Sequence, residues 1–233
     1  MKGTVDMTVR VGEVTLPTPI IAASGTFGYG LEFAGLVDLG AVGAIAVKSL
    51  SLRPARGKPP PRLVETPAGM LNAIGLQNIG VEAFLVEKLP QLHARGARVI
   101  ANFWGDSPEE FAECAARLDG MPGIVALELN AASPNRPEWG RIIASDAGAL
   151  AAVVRAVRPR VRLPLWVKLS PNVSDIVAVG RAVEAEGADA VTAINTLRGM
   201  AVELRTRRPR LANRTGGLSG PAIKPVALAM VHA

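Results

Sequence analysis

Six polar side chains follow six short apolar runs, and together they offer the chemistry of a ligand-gripping rim. Ser24 follows Ile20–Ala23, Lys48 follows Ala44–Val47 and Asn102 follows Val99–Ala101. Asn130 closes the run from Val125 through Glu128 to Leu129, Lys168 follows Leu165–Val167, and Asn195 follows Ala190–Ile194. Amides and hydroxyls both donate and accept hydrogen bonds, and a lysine ending a buried strand needs an anionic partner. One asparagine in such a place is usually a turn former, and one lysine can snorkel to solvent. Six in succession read as a single ligand site.

The elements that would hold these groups are parallel strands joined by crossover helices. The fold class is therefore α/β, of the (β/α)8 TIM-barrel type, in which polar residues converge at the carboxyl ends of the strands. Only about six of the eight strand-helix units are legible. The sixth crossover helix is just beginning near Ala233, so the chain reads either as a fragment of a longer product or as a barrel closed by something else. Open strand edges are otherwise a liability.

The helices carry start and stop signals. Ser107-Pro108-Glu109-Glu110 offers a cap, a proline at the first helical position and a glutamate able to close a capping box. Phe111, Cys114, Ala115 and Leu118 then share one face, which puts Cys114 in the core rather than in a nucleophile's role. A second helix runs from about Asp146 to Val157 and stops before Pro159. A third has Ile176, Val179, Gly180 and Val183 on its buried side and ends near Gly187. Earlier, Val81, Phe84, Leu85 and Leu89 mark a helix predicted to end at Pro90. Two long irregular stretches, 50–80 and 196–221, read as loops that overhang one mouth.

Composition narrows the classes. A chain of 233 residues, 49% of them hydrophobic, can bury one sizeable core, and residues 1–233 are expected to form a single, incomplete barrel domain. The net charge of +6 comes largely from arginines between Arg198 and Arg214, and only 4% of residues are aromatic. That combination argues for a solvated face and against a base-stacking nucleic-acid surface. One cysteine rules out an intrachain disulfide framework and fits a reducing, cytoplasmic setting. No run approaches the ~20 apolar residues that span a bilayer, so no membrane association is expected. With two histidines and one cysteine, no metal site is expected either. His93 and His232 fall on helical segments and read as surface residues.

The stretch after the fourth run reads Glu128-Leu129-Asn130-Ala131-Ala132-Ser133-Pro134-Asn135. It resembles the Asn-x-Ser-Cys/Ser-Pro-Asn signature of the dihydroorotate dehydrogenases, flavin enzymes on a (β/α)8 barrel. Segments resembling the same family occur in order along the chain: Ala23–Gly28, Lys48-Ser49, Gly69–Asn78, Lys168–Asn172, Asn195-Thr196 and Thr215–Pro221. The Asn72–Leu76 and Gly216–Pro221 segments look most like the class 1B catalytic subunit. The resemblance implies oxidation of (S)-dihydroorotate to orotate in de novo pyrimidine (UMP) synthesis, with FMN as cofactor. It also implies a homodimer and a partner subunit carrying FAD and a 2Fe-2S cluster that passes electrons to NAD.

By the same resemblance Ser133 is the base at C5, where most class 1 members carry cysteine, and Lys168 stabilises charge on the flavin. The implied flavin contacts are Ala23, Ser24, Lys48, Ser49, Asn102, Asn130, Lys168, Ile194 and Gly220. The implied substrate contacts are Lys48, Asn72, Ala73, Ile74, Gly75, Leu76, Asn130, Asn135, Asn195 and Thr196. Ala132 replaces a serine common in the family. The residues alone leave alternatives open: a related FMN barrel acting on another dihydropyrimidine, or a non-catalytic relic that binds a pyrimidine or a partner. The electron acceptor is likewise open among NAD, fumarate and quinone.

Overall fold

The computed structural model describes residues 5–133 and 143–233. In chain order it begins with β1 (Val9–Val11), β2 (Val14–Leu16), β3 (Ile21–Ala22), β4 (Ala44–Ala46), β5 (Leu63–Thr66) and β6 (Gly69–Asn72). A helical stretch follows: α1 (Val81–Ala83), a π turn at Phe84–Lys88 and α2 (Leu89–Ala94). Strands and helices then alternate as β7 (Val99–Phe103), α3 (Pro108–Leu118), β8 (Ile124–Leu129), α4 (Ala147–Val157), β9 (Leu165–Lys168), α5 (Ile176–Ala185) and β10 (Ala190–Thr192). Last come β11 (Leu197–Met200), β12 (Val202–Glu203), β13 (Arg208–Pro209), β14 (Thr215–Ser219) and α6 (Lys224–His232).

All six apolar runs enter one parallel sheet, in the spatial order β3-β4-β7-β8-β9-β10. This is a curled half-barrel of the (β/α)8 type, with β3 and β10 as its outer strands among the described residues. Side chains alternate between its two faces, as strand geometry requires. Ile45, Val47, Phe103, Leu127 and Leu129 face outward into a core with Phe111, Cys114 and Leu118 of α3 and Leu150, Val153 and Val154 of α4. Ala44, Ala46, Ile100, Ala126 and Trp166 face inward, where Val14 and Leu16 of the β1–β2 hairpin pack on them. Both faces are covered, which is why these strands are nearly continuously apolar in sequence. Two positions further along, the inward face turns polar at Lys48, Asn102, Glu128 and Lys168.

The helix caps follow the sequence signals. Ser107, Asp146 and Asp175 accept from the backbone N–H of Glu110, Ala149 and Ala178 at the starts of α3, α4 and α5. Each such cap contributes about 1 kcal/mol. The Glu110 carboxylate, expected to close a capping box, accepts from Asp106 N at 2.9 Å instead. At the end of α5, Gly187 has φ 90° and its N–H bonds to Glu184 O, while Ala188 N–H bonds to Val183 O. These paired bonds satisfy carbonyls that the helix end would otherwise orphan.

Two expectations fail. Pro90 does not end its helix. The π turn at Phe84–Lys88 resets the hydrogen-bond phase, so Pro90 falls in the first turn of α2, where its missing N–H costs nothing. Nor are the stretches 50–80 and 196–221 irregular loops. They pair with each other in a four-stranded antiparallel sheet of order β11-β14-β6-β5, with Gly217 opposite Asn72 and Leu197 opposite Leu218. A small apolar cluster of Val64, Leu71, Ala73 and Leu211 stabilises this second sheet.

Candidate active site

A cavity of about 430 Å³ lies between the carboxyl ends of the parallel strands and the antiparallel sheet. Its floor comes from strand ends: Ser24 after β3, Lys48 and Ser49 after β4, Asn130 and Ser133 after β8, and Lys168 of β9. Its roof comes from the second sheet: Leu63 of β5, Met70 and Asn72 of β6, and Ser219 of β14. Ile74, Gly75 and Leu76 close one side after β6, and Asn195 and Thr196 close another between β10 and β11.

The polar groups are tied to one another across the floor. Asn130 Nδ2 donates to Ser49 Oγ at 3.0 Å, its Oδ1 accepts from Ala132 N at 3.3 Å, and Asn195 Nδ2 donates to the same oxygen at 3.4 Å. Asn195 Oδ1 in turn accepts from Thr196 N at 2.7 Å. Asn172 steadies this corner: its amide donates to Ser170 Oγ and to Thr196 O, and its Oδ1 accepts from Arg198 N at 2.9 Å. In the roof, Asn72 Nδ2 donates to Gly217 O at 3.2 Å. Side chains locked in this way hold their donors and acceptors in place before any ligand arrives.

The electrostatics favour an anion. Lys48 and Lys168 both line the cavity. Burial first, and then the charges of Arg62 and Lys168, hold the Lys48 ammonium below its ordinary value of 10.5. Beneath the floor, Glu128 Oε1 lies 3.7 Å from Lys168 Nζ. Its carboxylate also accepts from Asn102 Nδ2 and, at 2.7 Å, from Thr192 Oγ1.

Glycines permit the close approach of roof and wall. A Cβ on Gly217 would stand 1.9 Å from Thr196 Oγ1, and one on Gly69 would stand 2.0 Å from Ser219 O. Gly220, at φ 95°, packs against Gly69.

Of the residues singled out in the sequence, Ser24, Lys48, Ser49, Asn130, Ser133 and Lys168 meet on the floor, and Asn72, Ile74, Gly75, Leu76, Asn195 and Thr196 meet around it. Others stand apart from the cavity wall. Asn102 is fully buried beneath it. Ala73 turns its methyl into the Val64–Leu71–Leu211 cluster, leaving only its backbone for a ligand. The Ala23 carbonyl accepts from Thr26 N and Oγ1 in a turn, Ile194 follows a cis peptide, and Gly220 sits at the roof's edge. Asn135 lies outside the described residues.

Sequence reasoning missed Gly25, Thr26, Leu63, Met70 and Ser219, which also line the cavity. Gly25, Thr26, Met70 and Ser219 lay inside quoted motifs; Leu63 had no signal beyond its place in an apparent loop. Glu128 was read as strand. Cys114 is buried in the α3 core, with its thiol pushed up to about 12 chiefly by burial. Among the described residues, no group of three His, Cys, Asp or Glu is placed to hold a metal ion, and no helix is long and apolar enough to cross a membrane.

The architecture matches known sequences along its length. Residues 6–233 match the family described as Dihydroorotate dehydrogenase. A protein of Trichlorobacter lovleyi, named dihydroorotate dehydrogenase B (NAD(+)), catalytic subunit, is 55% identical over 225 residues, covering 97% of this chain and 74% of its own length. Proteins of the same name from Pelobacter propionicus and Solidesulfovibrio magneticus are each 54% identical, with the same coverage.

Proposed function

The chain belongs to the dihydroorotate dehydrogenase family, and from that premise we propose that it oxidises (S)-dihydroorotate to orotate over FMN held in the 430 Å³ cavity. It is an oxidoreductase, and the step belongs to pyrimidine biosynthesis. The observation that carries the reading is the convergence of Lys48, Asn130, Ser133 and Lys168 from three different strand ends on one hollow.

The residues present suit a flavin. Asn102 Oδ1 is buried without a partner among the described residues, an acceptor suited to the imide N–H of an isoalloxazine ring. Two lysines balance a ligand that gains negative charge. Ser24, Lys48, Ser49, Asn102, Asn130 and Lys168 would hold the ring, with the backbone of Ala23, Ile194 and Gly220. FMN, when bound, supplies the acceptor for the hydride that leaves C6 of the substrate.

The chain's own groups do the rest. Asn72, Asn130, Asn195 and Thr196 match the imide edge of a flat pyrimidine acid, and Lys48 meets its carboxylate. Ser133, buried at 6% exposure on the loop after β8, takes the proton from C5. A hydroxyl is a weak acid, so Ser133 must pass its own proton onward through a hydrogen-bonded relay as it accepts the new one. Positioned proton transfer of this kind is worth about 10²–10⁴-fold. Lys168 counters the negative charge that the reaction brings to the cavity floor, a preorganised electrostatic role.

The relatives' shared name, a catalytic subunit with NAD(+), supports a further part of the proposal, that a second subunit passes the electrons to NAD; FAD and a 2Fe-2S cluster on that subunit are what the motif resemblance implies. We include a homodimer and a single FMN-binding domain in the same reading. The test is direct. Purified protein should be yellow, and anaerobic dihydroorotate should bleach its visible absorption. Colourless protein that takes up no added FMN would overturn the reading.

A further inference from the structure

The mechanism above leaves the buried carboxylate of Glu128 without a task. Glu128, at 3% exposure, lies on the inner face of β8 between Ala126 and Asn130. Three other strands of the sheet each direct a donor at its carboxylate: Asn102 Nδ2 from β7, Lys168 Nζ from β9 and Thr192 Oγ1 from β10. A buried carboxylate is costly to desolvate, and an apolar side chain of similar size fills such a space at no such cost. Ala126, two residues earlier on the same face, shows that the inner face of β8 accepts apolar groups. The charge therefore calls for a reason other than packing.

The hydrogen-bond logic supplies one. An ionised carboxylate only accepts, so Asn102 must present its NH₂ to Glu128. That fixes which way the amide faces and leaves Asn102 Oδ1 as the buried acceptor without a partner among the described residues. An amide beside a neutral group could turn either way; beside Glu128 it cannot. The same carboxylate is the counter-charge of Lys168, which itself lines the cavity.

We infer that Glu128 is a positioning residue for the redox ligand: it locks Asn102 as an acceptor for a ligand N–H and tempers the positive charge that Lys168 presents. The inference rests on the FMN reading given above. Its consequence is that Glu128, which does not line the cavity, sets both the grip on oxidised FMN and the balance between oxidised and reduced forms.

The experiment compares the FMN-loaded wild type with Glu128→Gln, an isosteric change that removes the charge and can donate as well as accept. Fluorescence quenching gives the affinity for oxidised FMN, and a spectroscopic redox titration gives the midpoint potential. Loss of the lock should weaken oxidised FMN by about tenfold, the scale of one well-made hydrogen bond. The uncompensated Lys168 should raise the preference for reduced over oxidised FMN by about tenfold, which is a rise of about 30 mV for a two-electron couple. In a Lys168→Met background the same substitution should leave the potential unchanged, because its effect passes through that lysine. A residue with only a structural role would alter stability without this coupling.

If Glu128→Gln does not fold, Glu128→Asp keeps the charge but draws it back from both partners, and it should move both quantities in the same direction by less. FMN-loaded variants with wild-type affinity and potential overturn the assignment of Glu128 while leaving the FMN reading intact. Wild-type protein that binds no FMN overturns both.

Discussion

Lys48 and Lys168 face one cavity from different strands of the parallel sheet, and the charge of Lys168 helps to hold the Lys48 ammonium below its ordinary value. Two cations are kept together there by the geometry of β4 and β9, and an anionic ligand relieves the arrangement.

The first prediction follows from that depression. Lys48 has a lowered value in the folded chain and an ordinary one, near 10.5, when unfolded. Between the two, the unfolded chain binds more protons, so the stability cost of Lys48 is fully present below the folded value and is relieved as pH rises toward 10.5. Denaturant unfolding at a series of alkaline pH values should show this rise in wild type and its loss in Lys48→Met. Orotate affinity should fall over the same window, because the cation that meets the carboxylate is being discharged. Parallel stability curves for the two proteins would contradict the claim.

Ser133→Ala should slow flavin reduction by dihydroorotate by about 10²–10⁴-fold while leaving FMN content unchanged. Stopped-flow absorbance under anaerobic conditions measures it. Ser133→Cys, with a side chain of reference pKa about 8.5, should sustain reduction. An unaltered rate in the alanine variant moves the proton acceptor elsewhere.

Gly217→Ala should damage roof and wall together. The added methyl would overlap Thr196 Oγ1 at 1.9 Å and Thr196 Cβ at 2.6 Å, and neither is the end of a long flexible chain. Overpacking of this kind costs about 1–3 kcal/mol. Thermal melting should register that loss, and calorimetry should show weaker orotate binding because Thr196 is displaced.

Cys114 should be inert while the protein is folded. Its thiol is buried and held near 12, so almost no thiolate exists at neutral pH. A colorimetric thiol reagent should label it only after denaturant is added, at the rate of unfolding. Fast labelling of native protein would contradict its place in the α3 core.

What could be read from the residues was the half of the site that depends on local pattern. Ile45, Leu127 and Val167 belong to short apolar runs that mark buried parallel strands, and Lys48, Asn130 and Lys168 stand where those runs stop. Asn72 and the overhang of both long stretches were legible, but the strand pairing of the roof was not, for a physical reason. β6 and β14 carry Gly69, Gly216 and Gly217, residues that weaken any strand signal, and their pairing joins positions about 145 residues apart. Pro90 misled because a π turn shifts the helix phase without a sequence mark of its own. Glu128 was hidden because one charge within an apolar run says nothing of the three donors that meet it.

The pairing of β6 with β14 also has a temporal side. A two-stranded hairpin such as β5–β6 is marginal alone, and its further neighbour is not synthesised until residues 215–219. A nascent chain emerging from the ribosome thus carries the strands of its basin, through β10, before the last strand of its ceiling. Contacts of such long range form late, so the means to enclose a coenzyme arises only once residues 215–219 have joined the hairpin.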